Sequence, residues 1–404
     1  MTTRRVASVL AIALAAGFLL CGYEFVRSVS SSLYIGAYGA HRLPIVMALA
    51  PVGTVLVIYA YGVLLTWLGP HGALVSTSGL SAAVILACYF SIVSGAAPAT
   101  GVLYVFREAY IVVIIEQYWS FINSTLGHDD ARKLNGPICG IASLGAIAGG
   151  LLVKHLAPQR GTEYLLILAA ASLVPAAVFS AIAYRLGGEP KPSQEETRAR
   201  HGHLALGLFR SRYLLCLGLL IIATQVVSTV LDLRFSALVE NALPVKDQRT
   251  AYLGGFYATL NAVSSSLQFL LVPLVLHLCP LRLVHPCIPL VHLAASAVLL
   301  LHPSLRTGAA AYLLFKSLDY SVFRAAKEIL YIPLSFDARY RAKSVIDAFG
   351  YRFSKGAASG LIAFATFLFG RLPGGTYPLV AMASAVAWIL LVLRLTSPRE
   401  GGEV

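Results

Sequence analysis

The chain has 404 residues, of which 58% are hydrophobic and 12% charged, with a formal net charge of +13 and a mean hydropathy of +0.76. An ordinary soluble domain has about 25% charged residues, so this composition excludes a soluble globular enzyme and a disordered chain alike and points to a protein of the lipid bilayer. The six cysteines, Cys21, Cys88, Cys139, Cys216, Cys279 and Cys287, are scattered through apolar segments with no CxxC spacing; they read as small buried hydrophobes, not as a disulfide or metal framework.

Apolar runs of about 20 residues, long enough to cross a bilayer core, recur along the chain. Twelve spans are expected near 6–30, 43–68, 73–95, 98–123, 134–155, 163–186, 212–238, 250–278, 283–302, 307–334, 343–370 and 375–396. Arg4-Arg5 before the first run has the look of a signal-peptide start, but the run outlasts the usual apolar length and further spans follow at once, so it reads as a retained first span. With the N-terminus inside, the cytoplasmic segments collect most of the loop charge, including Arg4, Arg5, Arg132, Lys133, Arg185, Lys191, Arg198, Arg200 and Arg210. Both termini are therefore expected in the cytoplasm. The net positive charge is this topological signal, and no nucleic-acid partner is expected.

One long polar segment, Gly187 to Arg210, divides six spans from six. The expected fold is an all-α membrane protein of twelve transmembrane helices: one six-helix bundle over 1–187, a cytoplasmic linker over 188–210 and a second bundle over 211–404. That is the plan of the major facilitator superfamily. The halves echo one another, since the same number of positions separates Arg27 from Arg234 and Asp130 from Asp337. Small-residue faces recur as well, at Gly136, Gly140, Gly145, Gly149 and Gly150 in the fifth span and over Gly356–Gly360 in the eleventh. Such faces let helices approach closely, and here they are expected to line the contact between bundles.

Charge inside spans is costly, about 2.5–3.5 kcal/mol for each group at a span centre, so charged groups there must pair, line water or sit near an interface. Candidate substrate-binding residues are Arg27, Arg107, Glu108, Glu116, Asp232, Arg234, Lys316, Arg324, Lys327, Glu328 and Arg352. Candidate gating or ion-pair residues are Glu24, Asp319, Asp337, Arg341, Lys343, Asp347 and Lys355. Helical spacing lets Glu24 meet Arg27, Lys316 meet Asp319, and Arg324 meet Glu328, and it places Asp347, Tyr351 and Lys355 on one stripe. Tyrosines such as Tyr104, Tyr257, Tyr320 and Tyr331 accompany the charges and suit either a planar ligand or a membrane-interface belt.

The segment Arg324-xx-Lys327-Glu328-x-Leu330-Tyr331, continuing through Asp337, Arg341-Ala342-Lys343, Ile346-Asp347 and Tyr351-Arg352, resembles the signature of the ATP/ADP translocase family. Tyr23-xxx-Arg27 and Glu116-Gln117 through Trp119 to Asn123 agree with it. The resemblance implies an inner-membrane carrier of bacteria, with Arg27, Glu108 or Glu116, Arg234, Lys316, Arg324, Lys327 and Arg352 on its substrate path. The chain departs from the nucleotide exchangers of that family in being shorter and in carrying Arg27 where they tend to use lysine.

Two transport readings and one non-transport reading remain open. The first is a secondary active transporter of an organic anion, with nucleotide exchange of the ATP/ADP type as one candidate. The second is a proton-coupled exporter of an amphipathic small molecule, suggested by the buried carboxylates. The third is a non-transporting membrane partner protein. An enzyme is not expected, because no phosphate-binding Gly-xxxx-Gly-Lys loop, His-Glu-xx-His metal pair or Gly-x-Ser-x-Gly elbow is present. The expected partners are a small anionic substrate and the bilayer, the expected state is a monomer, and no cofactor or metal is expected.

Overall fold

The first helix, α1 (Thr3–Tyr38), is packed by α3 (Pro98–Thr125), α4 (His128–Arg160) and α5 (Tyr164–Gly187). Its first half is largely apolar, as a helix with neighbours on several sides needs to be, and its polar groups gather in the second half from Glu24 onward. The computed structural model describes residues 3–126, 128–188, 212–331 and 350–396, without the side chains at 128, 129, 131 and 132. Asp337, Arg341, Lys343 and Asp347, and the polar segment beyond Gly188, lie outside the described residues.

Gly39, at φ 81°, ends α1 in the left-handed conformation that glycine alone adopts without strain. A short turn, Ala40–Arg42, leads into α2 (Leu43–Val93). At 51 residues α2 is far longer than one bilayer crossing requires. It breaks at Gly69 (φ 68°, ψ 177°), directly before Pro70, whose ring disfavours the α conformation in the residue ahead of it. The expected loop between the second and third spans is reduced to this one break.

The later helices are α6 (Arg212–Ala242), α7 (Lys246–Ser266), α8 (Val272–Leu278), α9 (Leu281–Leu301), α10 (Leu305–Leu318), α11 (Arg324–Leu330), α12 (Tyr351–Phe369) and α13 (Thr376–Thr396). Single π turns join α7 to α8 at Leu267–Leu271 and α10 to α11 at Asp319–Phe323, and the two turns touch. No strand occurs among the described residues. Nine helices among them are long and apolar enough to cross a membrane, against the twelve spans expected. The second and third spans are merged in α2, Lys316, Asp319, Arg324 and Lys327 make the α10–α11 segment more polar, and the start of the eleventh span, 343–349, lies outside the described residues.

The described chain forms two compact units. One comprises Met1–Gly39, Leu49–Arg200 and Leu243–Ala262; the other comprises Ala40–Ala48, His201–Ala242 and Val263–Val404. The first unit has a core of Ile12, Leu19, Val26, Leu103, Ile114, Phe121, Val153 and Leu166. In the second, α6 packs against α10, α12 and α13. Trp388 is fully buried there, with Phe323 and His292 at ring-centroid distances of 5.0 and 5.5 Å. The Ala40–Arg42 turn belongs to the second unit, where the Ala40 N–H donates to Glu240 Oε2 at 3.0 Å.

Within the first unit the glycines of α4 have a definite use. A methyl group at Gly145 or Gly149 would overlap the α1 backbone at Gly17 and Cys21 respectively, and one at Gly150 would overlap Gly254 and Ala258 of α7. Gly145 and Gly149 therefore close α4 on α1 within one unit, whereas Gly136 and Gly140 face open space. Gly149→Val is expected to cost about 3 kcal/mol, because backbone cannot move aside as a flexible side chain can. Thermal unfolding of the purified variant checks this, and an unchanged midpoint would contradict the close approach.

Candidate functional site

In the first unit the charged groups of α1 and α3 meet. Glu24 and Arg27, one turn apart, form the expected pair at 3.4 Å. Glu24 is 2% exposed. Its Oε1 also accepts from Asn261 Nδ2 of α7 at 2.9 Å, while Glu24 Oε2 and Ser28 Oγ, on the same stripe, have no hydrogen-bond partner among the described residues. The Arg27 guanidinium lies over the Tyr257 ring, 3.7 Å from its centroid, an arrangement worth about 0.5–2 kcal/mol.

Arg107 of α3 is buried and held more firmly. Its Nη1 donates to Arg27 O at 2.8 Å, to Ser30 Oγ at 2.8 Å and to Ser31 Oγ at 2.6 Å, and its Nε donates to Glu108 at 3.2 Å. The guanidinium also covers the Tyr104 ring at 3.8 Å. Arg107 thus fastens α3 to α1, and this geometry suits it to positioning Arg27. Glu116, two turns beyond Glu108 on α3, is exposed and apart from this cluster.

In the second unit, Asp232 and Arg234 of α6 point to different neighbours, as residues two apart on a helix do. Asp232 lies 3.8 Å from Lys355 of α12. Arg234 lies against Gly374 in the α12–α13 turn, and its Nε has no hydrogen-bond partner among the described residues. Lys316, Asp319 and Lys327 are all buried, with Asp319 in the π turn and within electrostatic reach of Lys316, Arg324 and Lys327. Lys316 Nζ is 5.4 Å from the Tyr320 centroid. Lys327 Nζ is 5.1 Å from that of Tyr351 and 5.7 Å from that of Tyr331. Glu328, expected opposite Arg324, has its carboxylate 3.9 Å from Lys327. Arg324 is exposed and Arg352 half-buried.

Some participants do not stand out in the sequence. Asn261, Ser30 and Ser31 are neutral residues, although a run of serines inside an apolar span is itself a signal of polar work. Arg249 reads as a loop charge at a span end, yet it is 3% exposed. Its Nε donates to Ser32 Oγ at 3.1 Å and its Nη2 to Ser32 O at 2.8 Å. No group of three or more metal-ligating side chains occurs among the described residues.

Comparison with known proteins agrees with this architecture. Residues 288–397 match the family described as TLC ATP/ADP transporter. Over 342 residues the chain is 22% identical to ADP,ATP carrier protein 3 of Rickettsia bellii, which covers 72% of this chain and 67% of the carrier. Over 93 residues it is 29% identical to ADP,ATP carrier protein 3 of Rickettsia felis, covering 23% of this chain and 18% of that carrier. The crystal structure of a mutant of the nucleoside transporter NupG superposes with a TM-score of 0.73 at 10% identity, covering 96% of this chain and all of NupG; at that identity the likeness shows the fold alone. The resemblance read from Arg324 to Arg352 is borne out by these matches, which are to carriers and not to enzymes. The chain is a multi-pass, all-α membrane protein that shares its fold with the transporter NupG and whose C-terminal region matches the TLC ATP/ADP transporter family.

Proposed function

We propose that the chain is a secondary active transporter of an organic anion, working by alternating access in a bacterial inner membrane with both termini cytoplasmic. Nucleotide exchange of the ATP/ADP type is its first candidate activity. The observation that carries this reading is the burial of cations in the α10–α11 segment, above all Lys316 and Lys327, within the stretch that matches the TLC ATP/ADP transporter family. Taking an ammonium group out of water costs several kcal/mol, and a carrier recovers that when an anion arrives.

The chemistry of the site fits. Guanidinium forks such as those of Arg27 and Arg324 match phosphate and carboxylate oxygens two at a time. Tyrosine faces beside them, Tyr257 at Arg27 and Tyr351 at Lys327, offer stacking surfaces to a planar base. An anion competes with Glu24 for Arg27 in the first unit and, separately, with Asp232 for Lys355 in the second, and release and re-formation of such pairs accompany the change of access.

Thermal unfolding of the purified protein against a panel of anions, ATP and ADP included, tests the reading. A ligand that binds only the folded state at about 100 times its Kd adds roughly 2.7 kcal/mol of stability. The matching anion is expected to raise the midpoint accordingly, and no shift for any anion would count against an anion carrier.

A further inference from the structure

A cavity of about 370 Å³ lies in the first unit at the start of α3. Its wall includes Gly36 of α1, Gly95 and Ala97 of the α2–α3 connection, Thr100 of α3, and Lys246 and Arg249 of α7. We propose that this cavity is a second anion-binding site, one that takes a small phosphate-bearing group and is separate from the residues assigned above to the transported substrate.

Three features converge there. The Arg249 guanidinium is buried and held by Ser32 Oγ and Ser32 O, so a ligand meets it already oriented and little ordering is required on binding. Gly36 makes room for that guanidinium, since a methyl group at this position would come 2.9 Å from Arg249 Nη2. The ammonium group of Lys246 supplies a second cation on the same wall. The first turn of α3 borders the cavity at Ala97 and Thr100; its Ala99 and Thr100 amides are already bonded to Ala96 O and Ala97 O, so it adds only the partial positive charge of a helix start. The volume lies within the range of small-molecule sites, about 300–1,000 Å³.

The two cations are not equivalent. Lys246 Nζ is bound at 2.5 Å by Glu163 Oε1, so an incoming anion competes with that carboxylate. The neighbouring Asp247 carboxylate is engaged elsewhere, accepting from Thr162 N at 2.9 Å and from Thr162 Oγ1 at 2.6 Å. Arg249 is the firmer anchor, and removing the Glu163 charge releases Lys246 to the anion.

Equilibrium binding of labelled inorganic pyrophosphate to the full-length purified protein tests the site. Binding is expected to fall about tenfold in Ala97→Phe, which adds bulk to the cavity wall and leaves both cations of α7 in the sequence. It is expected to fall a few-fold in Lys246→Gln and to rise a few-fold in Glu163→Gln. The gain in Glu163→Gln keeps the test open even if a larger side chain at Ala97 impairs folding. Absence of pyrophosphate binding in the parent protein, or binding unaltered in both Ala97→Phe and Glu163→Gln, overturns the proposal. Repeating the measurement in nanodiscs with and without phosphatidylglycerol separates the two sources of the same chemistry. Competition by the lipid identifies a headgroup as the occupant, and no competition identifies a soluble anion; either supports the site.

Discussion

Arg107→Ala is expected to be the most damaging single substitution for the folded state, costing about 3–5 kcal/mol. Arg107 carries four hydrogen bonds that no other residue replaces: to the Arg27 carbonyl, to the Ser30 and Ser31 hydroxyls and to the Glu108 carboxylate. Truncation takes the guanidinium donor from the buried Ser30 and Ser31 hydroxyls and the Arg27 carbonyl, and losing a donor in a buried setting costs more than the net worth of the contact itself. It also frees α3 from α1, the helix around which the first unit packs. Arg107→Lys should recover only part of the loss, since an ammonium group restores the charge but not the planar fork. Thermal unfolding of the three proteins in one detergent decides the matter. Equal midpoints would show that the latch contributes nothing.

Lys327→Met is expected to behave in the opposite way, leaving the protein folded and lowering transport by more than about tenfold. Lys327 is 3% exposed, its carboxylate neighbour Glu328 has a side chain that is 41% exposed, and the buried Asp319 keeps Lys316 and Arg324 within electrostatic reach, so removing the ammonium group does not leave a buried anion without a cation. Methionine fills nearly the same volume against Tyr331 and Tyr351, and replacing buried charge by an apolar group of similar shape is often neutral or stabilising. Burying the lysine therefore carries a cost, which the proposed binding of an anion would offset. Thermal midpoint and substrate uptake should be measured on the same preparation. A folded, fully active Lys327→Met protein would remove Lys327 from the site.

Much of this architecture is legible in the sequence because a bilayer imposes a length. Runs of about 20 apolar residues must be spans, and the helices at 98–125, 164–187 and 376–396 begin and end within a few residues of where that rule puts them. The Gly69-Pro70 break is legible for the same local reason. The Glu24–Arg27 pair follows from helical spacing alone. Pairing between helices is another matter. Lys355 shares a stripe with Asp347, yet the described partner of Lys355 is Asp232 of α6, a contact set by packing and invisible to periodicity. The π turn that carries Asp319 has no local sequence signature, and Arg249 sits at a span end where a charge is ordinarily solvated. Tertiary placement turned a residue of loop character into a buried anchor.

Uptake of labelled ATP by the reconstituted protein decides whether an anion is carried past these buried cations. Liposomes loaded with ADP are compared with empty ones, and the parent protein with Lys327→Met. Uptake is expected to require internal ADP and to be lost in the variant. No uptake under either condition, from protein shown to be folded, would contradict nucleotide exchange; uptake undiminished in Lys327→Met would contradict the role given to the buried cations.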